Sequence, residues 1–441
     1  MMRRDVPLLQ RIDWIAIGLV VVLALLGWVN VISATAGAEE VRLFDLATSH
    51  GKQLMFIGVC TLLAIAILNV EGEFFIRTAL INYAINLVLL LLVLAVGKKV
   101  GGARAWFGFG SFSMQPAEFA KSATALSLAW LLSRSEGRFR GWAEALKSSV
   151  LVLVPAGLIL LQPDLGTVLV FFGLVFALYR EGLSGNVLVV GFSAIVLGVA
   201  TILSGASVVQ YPFVGAQSGI WILVAVLGVG GVAGVGLAAR MAVPRTRSLL
   251  RRVGYPTAIA AAVFCGGLHA SFEEILQPHQ RERIYVLFGL DAGDPDADYN
   301  IRHAKAAIGS GGFIGKGFMQ GPMTAYGFVP EQSTDFIFCT VGEEWGFIGS
   351  AFVVILFGAL LFRILVIAER QRSDFTRIYA YAVASILFMH VLINVGMVLG
   401  LAPVIGIPLP FFSYGGSSLL GTTLLVFILL RLDAERFLVL R

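Results

Sequence analysis

Acidic side chains cluster at the start of a strongly apolar segment in the last third of the chain. Asp335 lies in the run 329–338, and Glu343 and Glu344 follow within the apolar segment. An ionisable group at the edge of membrane hydrocarbon is costly unless it is paired, hydrated or buried in protein, so its presence indicates function. The structural alternative is a helix start whose acids suit the positive end of the dipole. We favour that alternative for Glu331 alone and function for Asp335.

A second polar group interrupts an apolar segment further upstream. Gln115, Glu118 and Lys121 recur at intervals of three, and Pro116 suits the first turn of a helix. Residues three apart share one helix face, so Glu118 and Lys121 are expected to neutralise each other. The pair either fixes helix packing or lines a cavity for an anionic substrate. The sequence leaves both interpretations open.

Two polar stretches add cations. Arg104 offers a guanidinium that suits a diphosphate, and the nearby Trp106 suits either a substrate or a membrane interface. The glycine-rich run 308–317 has a backbone free to approach a ligand closely, and Lys316 supplies a charge beside it. By itself such a run is weak evidence for phosphate binding.

Composition determines which elements position these residues. The 441 residues are 58% hydrophobic and 13% charged, with a mean hydropathy of +0.88, which excludes a water-soluble globule. Apolar runs long enough to cross hydrocarbon as helices predict an all-α, polytopic inner-membrane protein, and the lack of alternation excludes a β-barrel. We predict twelve spans, at about 13–34, 52–69, 79–97, 114–133, 148–161, 165–179, 187–204, 218–239, 254–270, 335–362, 377–400 and 412–431.

Basic residues indicate the orientation of these spans. Arginines concentrate in alternate loops, which are therefore assigned to the cytoplasm together with both termini. The polar segments 98–113, 162–164 and 271–334 then face the periplasm, and so does the predicted site. We divide the chain into seven N-terminal helices (1–204), an inserted helix pair (205–270), a large periplasmic loop (271–334) and the C-terminal helices (335–441).

Metal, redox and nucleotide chemistry have little support in the sequence. Cys60, Cys265 and Cys339 lie in or beside apolar spans without zinc-ligand spacing, and they are interpreted as small core residues. No Walker or dinucleotide motif is present. Asp164, in a tight turn before an apolar run, is predicted to cap the following helix rather than to take part in catalysis.

Five ordered motifs resemble one family. The sequence is similar to the SEDS proteins (shape, elongation, division and sporulation), the RodA and FtsW peptidoglycan glycosyltransferases, and it looks more like RodA. The resemblance covers nearly the whole chain. It departs from the family at His303 and Ala304 and in the inserted pair, which brings the usual ten spans to twelve. The motifs are 104–106 with 115–121, 162–167, 307–312 with 315–317, 330–331 with 334–338 and 343–344, and 403–410 with 413–417.

The resemblance implies polymerisation of lipid II into glycan strands for cell elongation, with inversion and release of undecaprenyl diphosphate. It also implies a class B penicillin-binding protein and other elongation-complex membrane proteins as partners, and no nucleic acid. Asp335 takes the position of the family's essential aspartate, which suits a general base. The leaving diphosphate requires cations or a bound divalent metal such as Mg²⁺ or Mn²⁺, although no metal ligands are predicted. The residues predicted to bind substrate are Arg104, Trp106, Glu118, Lys121, Lys316, Glu331 and Ser413.

Three alternatives remain at this stage. A lipid II transporter would use the same buried charges and broken helices, but the sequence shows no internal repeat and its polar residues gather toward the outer side. A noncatalytic scaffold would not depend on the Asp335 carboxylate. A division-specific polymerase of the FtsW type would share the chemistry and differ in its cellular role.

Overall fold

The computed structural model describes residues 8–36, 44–100, 103–109, 112–134, 142–211, 215–274, 281, 285, 295–402 and 404–436. The predicted all-α class is confirmed, with two small antiparallel sheets as the exceptions. The chain forms two compact units: the first contains Met1–Leu183 and Asn300–Arg441, and the second contains Ser184–Tyr299.

The N-terminal part of the first unit combines long helices with one sheet. Its three strands are antiparallel in sequence order, and the middle strand pairs with both neighbours. The elements are α1 (Leu8–Arg11), α2 (Trp14–Ala36), α3 (Ser49–Asn69), α4 (Gly72–Val96), β1 (Lys98–Val100), β2 (Ala103–Phe109), β3 (Phe112–Met114), α5 (Pro116–Arg134), α6 (Trp142–Leu160), α7 (Leu165–Phe172) and α8 (Leu174–Arg180).

The C-terminal part of the first unit supplies its most buried helices. Residues 404–415 are irregular, as the proline-rich sequence predicts, and are called here the 404–415 segment. The elements are α14 (Pro295–Gly311, continuing from the second unit), α15 (Pro322–Ala325), α16 (Ile337–Glu369), α17 (Asp374–Val398) and α18 (Gly416–Ala434). Helices α5, α17 and α18 pack together at the centre.

The second unit is a small bundle with one hairpin. Two of its helices contain a π-helical stretch, Val226–Gly230 and Leu250–Gly254, and small residues let them pack closely. Its α-helices and strands are α9 (Gly185–Ala206), β4 (Val208–Tyr211), β5 (Gly215–Ser218), α10 (Ile220–Ala225), α11 (Gly231–Met241), α12 (Pro244–Leu249) and α13 (Tyr255–Glu274).

Ten helices in the described part of the chain are long and apolar enough to cross a membrane, so this is a multi-pass membrane protein. The predicted count of twelve spans is not confirmed. Two predicted spans, 114–133 and 165–179, are not among these ten helices. The helix Pro116–Arg134 carries buried polar residues that reduce its apolar character, and the run Leu165–Arg180 is short and interrupted at Gly173.

The number of membrane spans does not test the predicted division of the chain into four parts. The compact units have other boundaries: the second unit begins at Ser184 and includes α9 together with the predicted inserted pair. Within the predicted periplasmic loop 271–334, residues 300–334 belong to the first unit and contain most of α14 and all of α15, and residues 275–280, 282–284 and 286–294 lie outside the described residues.

Buried ion pairs connect three helices at one end of the first unit. Asp13, just before α2, accepts hydrogen bonds from the guanidinium groups of Arg363 and Arg370. Arg370 also pairs with Asp433 on α18. Both carboxylates are almost completely buried, so they require these partners. This cluster therefore fixes α2, α16 and α18 relative to one another.

Glycines bring the 308–317 run against the backbone of α16. A Cβ atom at Gly311 would lie 2.0 Å from the Gly342 carbonyl oxygen, and one at Gly315 would lie 2.2 Å from the Glu344 carbonyl oxygen. On the helix side, Gly346 has φ +64° and ψ −157°, and a Cβ there would lie 2.4 Å from the Gly315 nitrogen. The run predicted to approach a ligand approaches a helix instead.

We expect Gly346→Ala to destabilise the protein by about 1–3 kcal/mol. The backbone conformation of residue 346 is accessible only to glycine, and the added methyl group would clash with Gly315. The matched control is Gly358→Ala on the same helix, where nothing lies within 4 Å of the added Cβ. The control should be neutral or slightly stabilising. Thermal unfolding in detergent measures both, and equal midpoints for the two variants would contradict the prediction.

Candidate functional site

The main chain around Asp335 is held on three sides. Asn394 of α17 donates its amide to the Asp335 carbonyl oxygen at 2.9 Å and to the Ile407 carbonyl oxygen at 2.6 Å. The Tyr414 backbone N–H donates to the Ser333 carbonyl at 2.9 Å. The turn before α16, α17 and the 404–415 segment are therefore joined at Asp335.

The Asp335 side chain is half-buried, and its carboxylate has no ion-pair partner among the described residues. The main chain at Gly406 is so close that a Cβ there would lie 3.1 Å from Asp335 Oδ2. No hydrogen bond to this carboxylate is found among the described residues. Burial, followed by the negative charges of Glu331 and Asp164, raises the pKa of Asp335 to about 7. A carboxyl group with such a pKa can both accept and release a proton near neutral pH.

Asp164 caps α7, as the sequence predicts. Its side chain accepts from the Thr167 backbone N–H at 3.0 Å and from the Thr167 hydroxyl at 2.9 Å. Gln115, just before α5, donates to Asp164 Oδ2 at 2.8 Å. Burial raises the pKa of the Asp164 carboxyl, and the Thr167 hydrogen bonds oppose that effect. The starts of α5 and α7 therefore meet beside Asp335.

Glu118 and Lys121 form the predicted ion pair in the buried interior. Lys121 Nζ lies 2.8 Å from Glu118 Oε2 and 2.8 Å from His390 Nε2 on α17. A lysine ammonium only donates, so His390 Nε2 accepts and Nδ1 carries the hydrogen directed at the Pro408 carbonyl, 3.3 Å away. Lys121 therefore connects α5 to α17 and, through His390, to the 404–415 segment.

A separate buried acid, Glu343, holds the chain that precedes Asp335. Its carboxylate accepts from Lys316 Nζ at 2.9 Å, from the Thr324 backbone N–H at 2.8 Å and from the Met323 backbone N–H at 3.0 Å. Glu344 accepts from the Ser33 hydroxyl of α2. With its partners in place, Glu343 has a structural role, whereas Glu344 Oε2 is buried without a hydrogen-bonding partner among the described residues.

The remaining predicted substrate-binding residues lie in different surroundings. Arg104 is exposed on β2, and Trp106 is half-buried on the same strand. Glu331 is exposed four residues before Asp335 and accepts from the Thr334 hydroxyl at 3.1 Å. The Ser413 hydroxyl is buried and accepts from the Leu409 backbone N–H at 2.8 Å.

The structure thus brings Asp335, Glu331, Glu118 and Lys121 into one region and places Lys316 in the ion pair with Glu343. Sequence reasoning missed His390 and Asn394. Each is a buried polar residue in an otherwise apolar helix, and that is the signal that identifies them.

The described residues contain no group of three or more His, Cys, Asp or Glu side chains that could hold a metal ion. Cys60, Cys265 and Cys339 are free and buried, in agreement with their interpretation as core residues.

A profile of the family described as FTSW_RODA_SPOVE, cell cycle protein, matches residues 13–214 and 220–437. The chain belongs to this family. The predicted SEDS resemblance is therefore confirmed, and family membership extends over almost the whole sequence.

Individual relatives agree with this assignment. The chain is 31% identical over 405 residues to the peptidoglycan glycosyltransferase RodA of Treponema pallidum (strain Nichols), covering 89% of this chain and 91% of the relative. It is similar to the crystal structure of RodA of Thermus thermophilus, with a TM-score of 0.60 and 27% sequence identity. This match covers 97% of this chain and 98% of that chain. It is also similar to a chain in a solved structure described as "Structural coordination of polymerization and crosslinking by a peptidoglycan synthase complex". The TM-score is 0.67 and the sequence identity 29%, and the match covers 97% of this chain and 99% of that chain.

Proposed function

We propose that this membrane protein is a peptidoglycan glycosyltransferase in which Asp335 is the general base. The observation that carries the proposal is the half-buried Asp335 carboxylate beside the Gly406 main chain. It has no hydrogen-bonding partner among the described residues, and its pKa is raised to about 7. The names of the relatives support the same activity, because RodA of Treponema pallidum is called a peptidoglycan glycosyltransferase. The substrate proposed is lipid II.

In the proposed reaction, the 4-hydroxyl of the acceptor sugar attacks the anomeric carbon of the donor. The bond from that carbon to the diphosphate breaks, and the leaving group departs as undecaprenyl diphosphate. Asp335 accepts the hydroxyl proton as the new glycosidic bond forms. A single displacement inverts the anomeric centre, so no covalent sugar intermediate and no second nucleophilic carboxylate are needed.

The departing diphosphate needs positive charge. Lys316 is paired with Glu343, and Lys121 is shared between Glu118 and His390, so both charges are already partly balanced. Arg104 is exposed on β2, and we propose that it contacts the diphosphate, with Trp106 beside the saccharide. A divalent cation such as Mg²⁺ or Mn²⁺ bound with the substrate is the other proposed source of charge.

We place Asp335 at the periplasmic face of the inner membrane and both termini in the cytoplasm. Helix α16 begins two residues after Asp335 and is interrupted at Gly346. Beyond this glycine, Phe347 to Glu369 covers about 33 Å at 1.5 Å per residue and ends next to Arg370, a residue of the cluster around Asp13. This length exceeds the ~30 Å of hydrocarbon, so the two ends belong to opposite faces. The abundance of arginine at the Arg363 end favours the cytoplasm.

A cross-linking partner is the third part of the proposal. A chain similar to this one over nearly its full length belongs to a structure described as a peptidoglycan synthase complex. We propose a class B penicillin-binding protein as this partner, and other elongation-complex proteins as further neighbours in the membrane.

The pH dependence of polymerisation tests the role of Asp335. Purified protein with its partner and labelled lipid II should form glycan strands, whose initial rate falls about tenfold between pH 8 and pH 6 as a base of pKa about 7 becomes protonated. In Glu331→Gln the midpoint should move to lower pH, because the Glu331 charge contributes to the raised pKa.

Two results would contradict the proposal. A wild-type protein that forms no strands, while moving lipid II between leaflets, would favour the transporter alternative. A rate that is independent of pH over this range would remove Asp335 from the proton transfer.

A further inference from the structure

An apolar groove with a volume of about 770 Å³ lies between α2, α3 and α18 of the first unit. Phe411 and Cys60 form part of its floor, and both are buried. Ala24 and Ala64 are buried there too, and their small side chains leave the space open. Trp14 at one end is exposed. Because these helices cross the membrane, the open side of the groove faces hydrocarbon.

The length of the groove matches one leaflet. Along α2 it extends from Trp14 to Leu25, a distance of about 17 Å at 1.5 Å per residue. Half of a hydrocarbon layer of ~30 Å is close to this value. The mouth, formed by Ile12, Trp14 and Asn69, therefore lies near one membrane surface, and the Phe411 end lies near the bilayer centre.

The mouth lies at the membrane face opposite Asp335. Ile12 is next to Asp13, which binds Arg363 near the end of α16, whereas Asp335 precedes the start of the same helix. The reacting groups of a substrate at Asp335 are therefore a membrane thickness away from this mouth. The occupant of the groove belongs to the other leaflet.

Charge at the mouth favours an anionic head group. Arg11 directly precedes Ile12, and the Arg436 guanidinium donates to the Arg11 carbonyl at 3.3 Å. Arg431 donates to the carbonyl of Val70, the residue after Asn69. Arg431 pairs with Glu435, and Arg436 pairs with Asp433. Arg431 is buried in these contacts, so the guanidinium groups of Arg11 and Arg436 beside the apolar opening are the ones that suit a phosphate at the membrane surface.

We propose that this groove binds one acyl chain of a phospholipid from the leaflet opposite Asp335, with the lipid phosphate beside Arg11 and Arg436. The chain lies against Phe411, which has φ +62° and belongs to the 404–415 segment. The same segment contacts the α17 side chains Asn394 and His390 at its Ile407 and Pro408 carbonyl oxygens. A bound chain therefore supports the segment that lies beside Asp335.

Filling the groove tests the proposal without any substrate. A phospholipid with a photoreactive group in its acyl chain is incubated with the full-length protein in nanodiscs, and the labelled peptides are identified by mass spectrometry. We expect labelling of α2, α3 and α18 to fall about tenfold or more in Ala24→Phe with Ala64→Phe, because the two rings occupy the space in which the methylenes of the acyl chain are buried. The milder Ala64→Leu should give a partial loss if the double variant folds poorly.

The matched control places the same side chain outside the groove. Gly18 and Gly58 lie on the same two helices with nothing within 4 Å of an added Cβ, so Gly18→Phe with Gly58→Phe should label as the wild type does. Undiminished labelling in the filled variants would overturn the proposal. So would displacement of the label by a polyprenyl diphosphate but not by unlabelled phospholipid, because the groove would then hold the substrate's own chain. Neither outcome depends on glycosyl transfer.

Discussion

Asp335→Asn should reduce glycan polymerisation by about 10²–10⁴-fold, because an amide cannot accept the acceptor's proton while it occupies nearly the same volume. The main-chain contacts of residue 335 to Asn394 do not involve the side chain, so they should persist. Initial rates of strand formation from labelled lipid II, measured with the partner present, give the ratio. A rate within threefold of wild type would remove Asp335 from the chemistry.

Stability measurements separate this loss from misfolding. The pKa of Asp335 is raised above its usual value of 3.8, so ionisation destabilises the fold. Stability from the neutral form is complete below about pH 4 and is lost as the pH rises through about 7. Asparagine stays neutral, so Asp335→Asn should unfold at the same temperature as wild type or higher at pH 8. The control Asp374→Asn, at a half-exposed acid near the opposite end of α16, should retain activity.

Lys121→Met should destabilise the protein by about 3–5 kcal/mol, because it leaves the Glu118 carboxylate buried without its cation. The double variant Glu118→Gln with Lys121→Met removes both charges and should recover much of that loss. Thermal unfolding in detergent gives the values, and the difference between single and double variants gives the coupling energy.

An exposed pair of the same chemistry provides the control. Arg77 and Glu73 are four residues apart on α4, and both side chains are at least half exposed. Arg77→Met should cost no more than ~0.5 kcal/mol. If Lys121→Met and Arg77→Met had equal effects, the buried pair would not stabilise the packing of α5 against α17.

The local parts of the site could be predicted from sequence. The i, i+3 spacing predicts the Glu118 and Lys121 pair, and the turn before an apolar run predicts the Asp164 cap. Each depends on residues close together in the chain. The irregular backbone of the 404–415 segment follows from its prolines and glycines in the same way.

The parts that depend on distant residues could not be predicted. Lys316 pairs with Glu343, 27 residues away, and the sequence alone gives no register for that contact. His390 and Asn394 are single polar residues without a motif, so their partners are visible only after α17 is packed. The predicted number of spans depends on how α5 and α7 are counted, because α5 contains buried polar residues and α7 ends at Gly173.

Part of the wall beside Asp335 is main chain, which at Gly406 lies so close that an added Cβ would be 3.1 Å from Asp335 Oδ2. Asn394 and His390 lie against the carbonyl oxygens of Ile407 and Pro408, and each of these oxygens has a second lone pair. A small-molecule inhibitor that hydrogen-bonded to these oxygens would contact atoms that every amino acid carries. Resistance through replacement of a contacting side chain would then have few routes, and escape would require the segment to change its path.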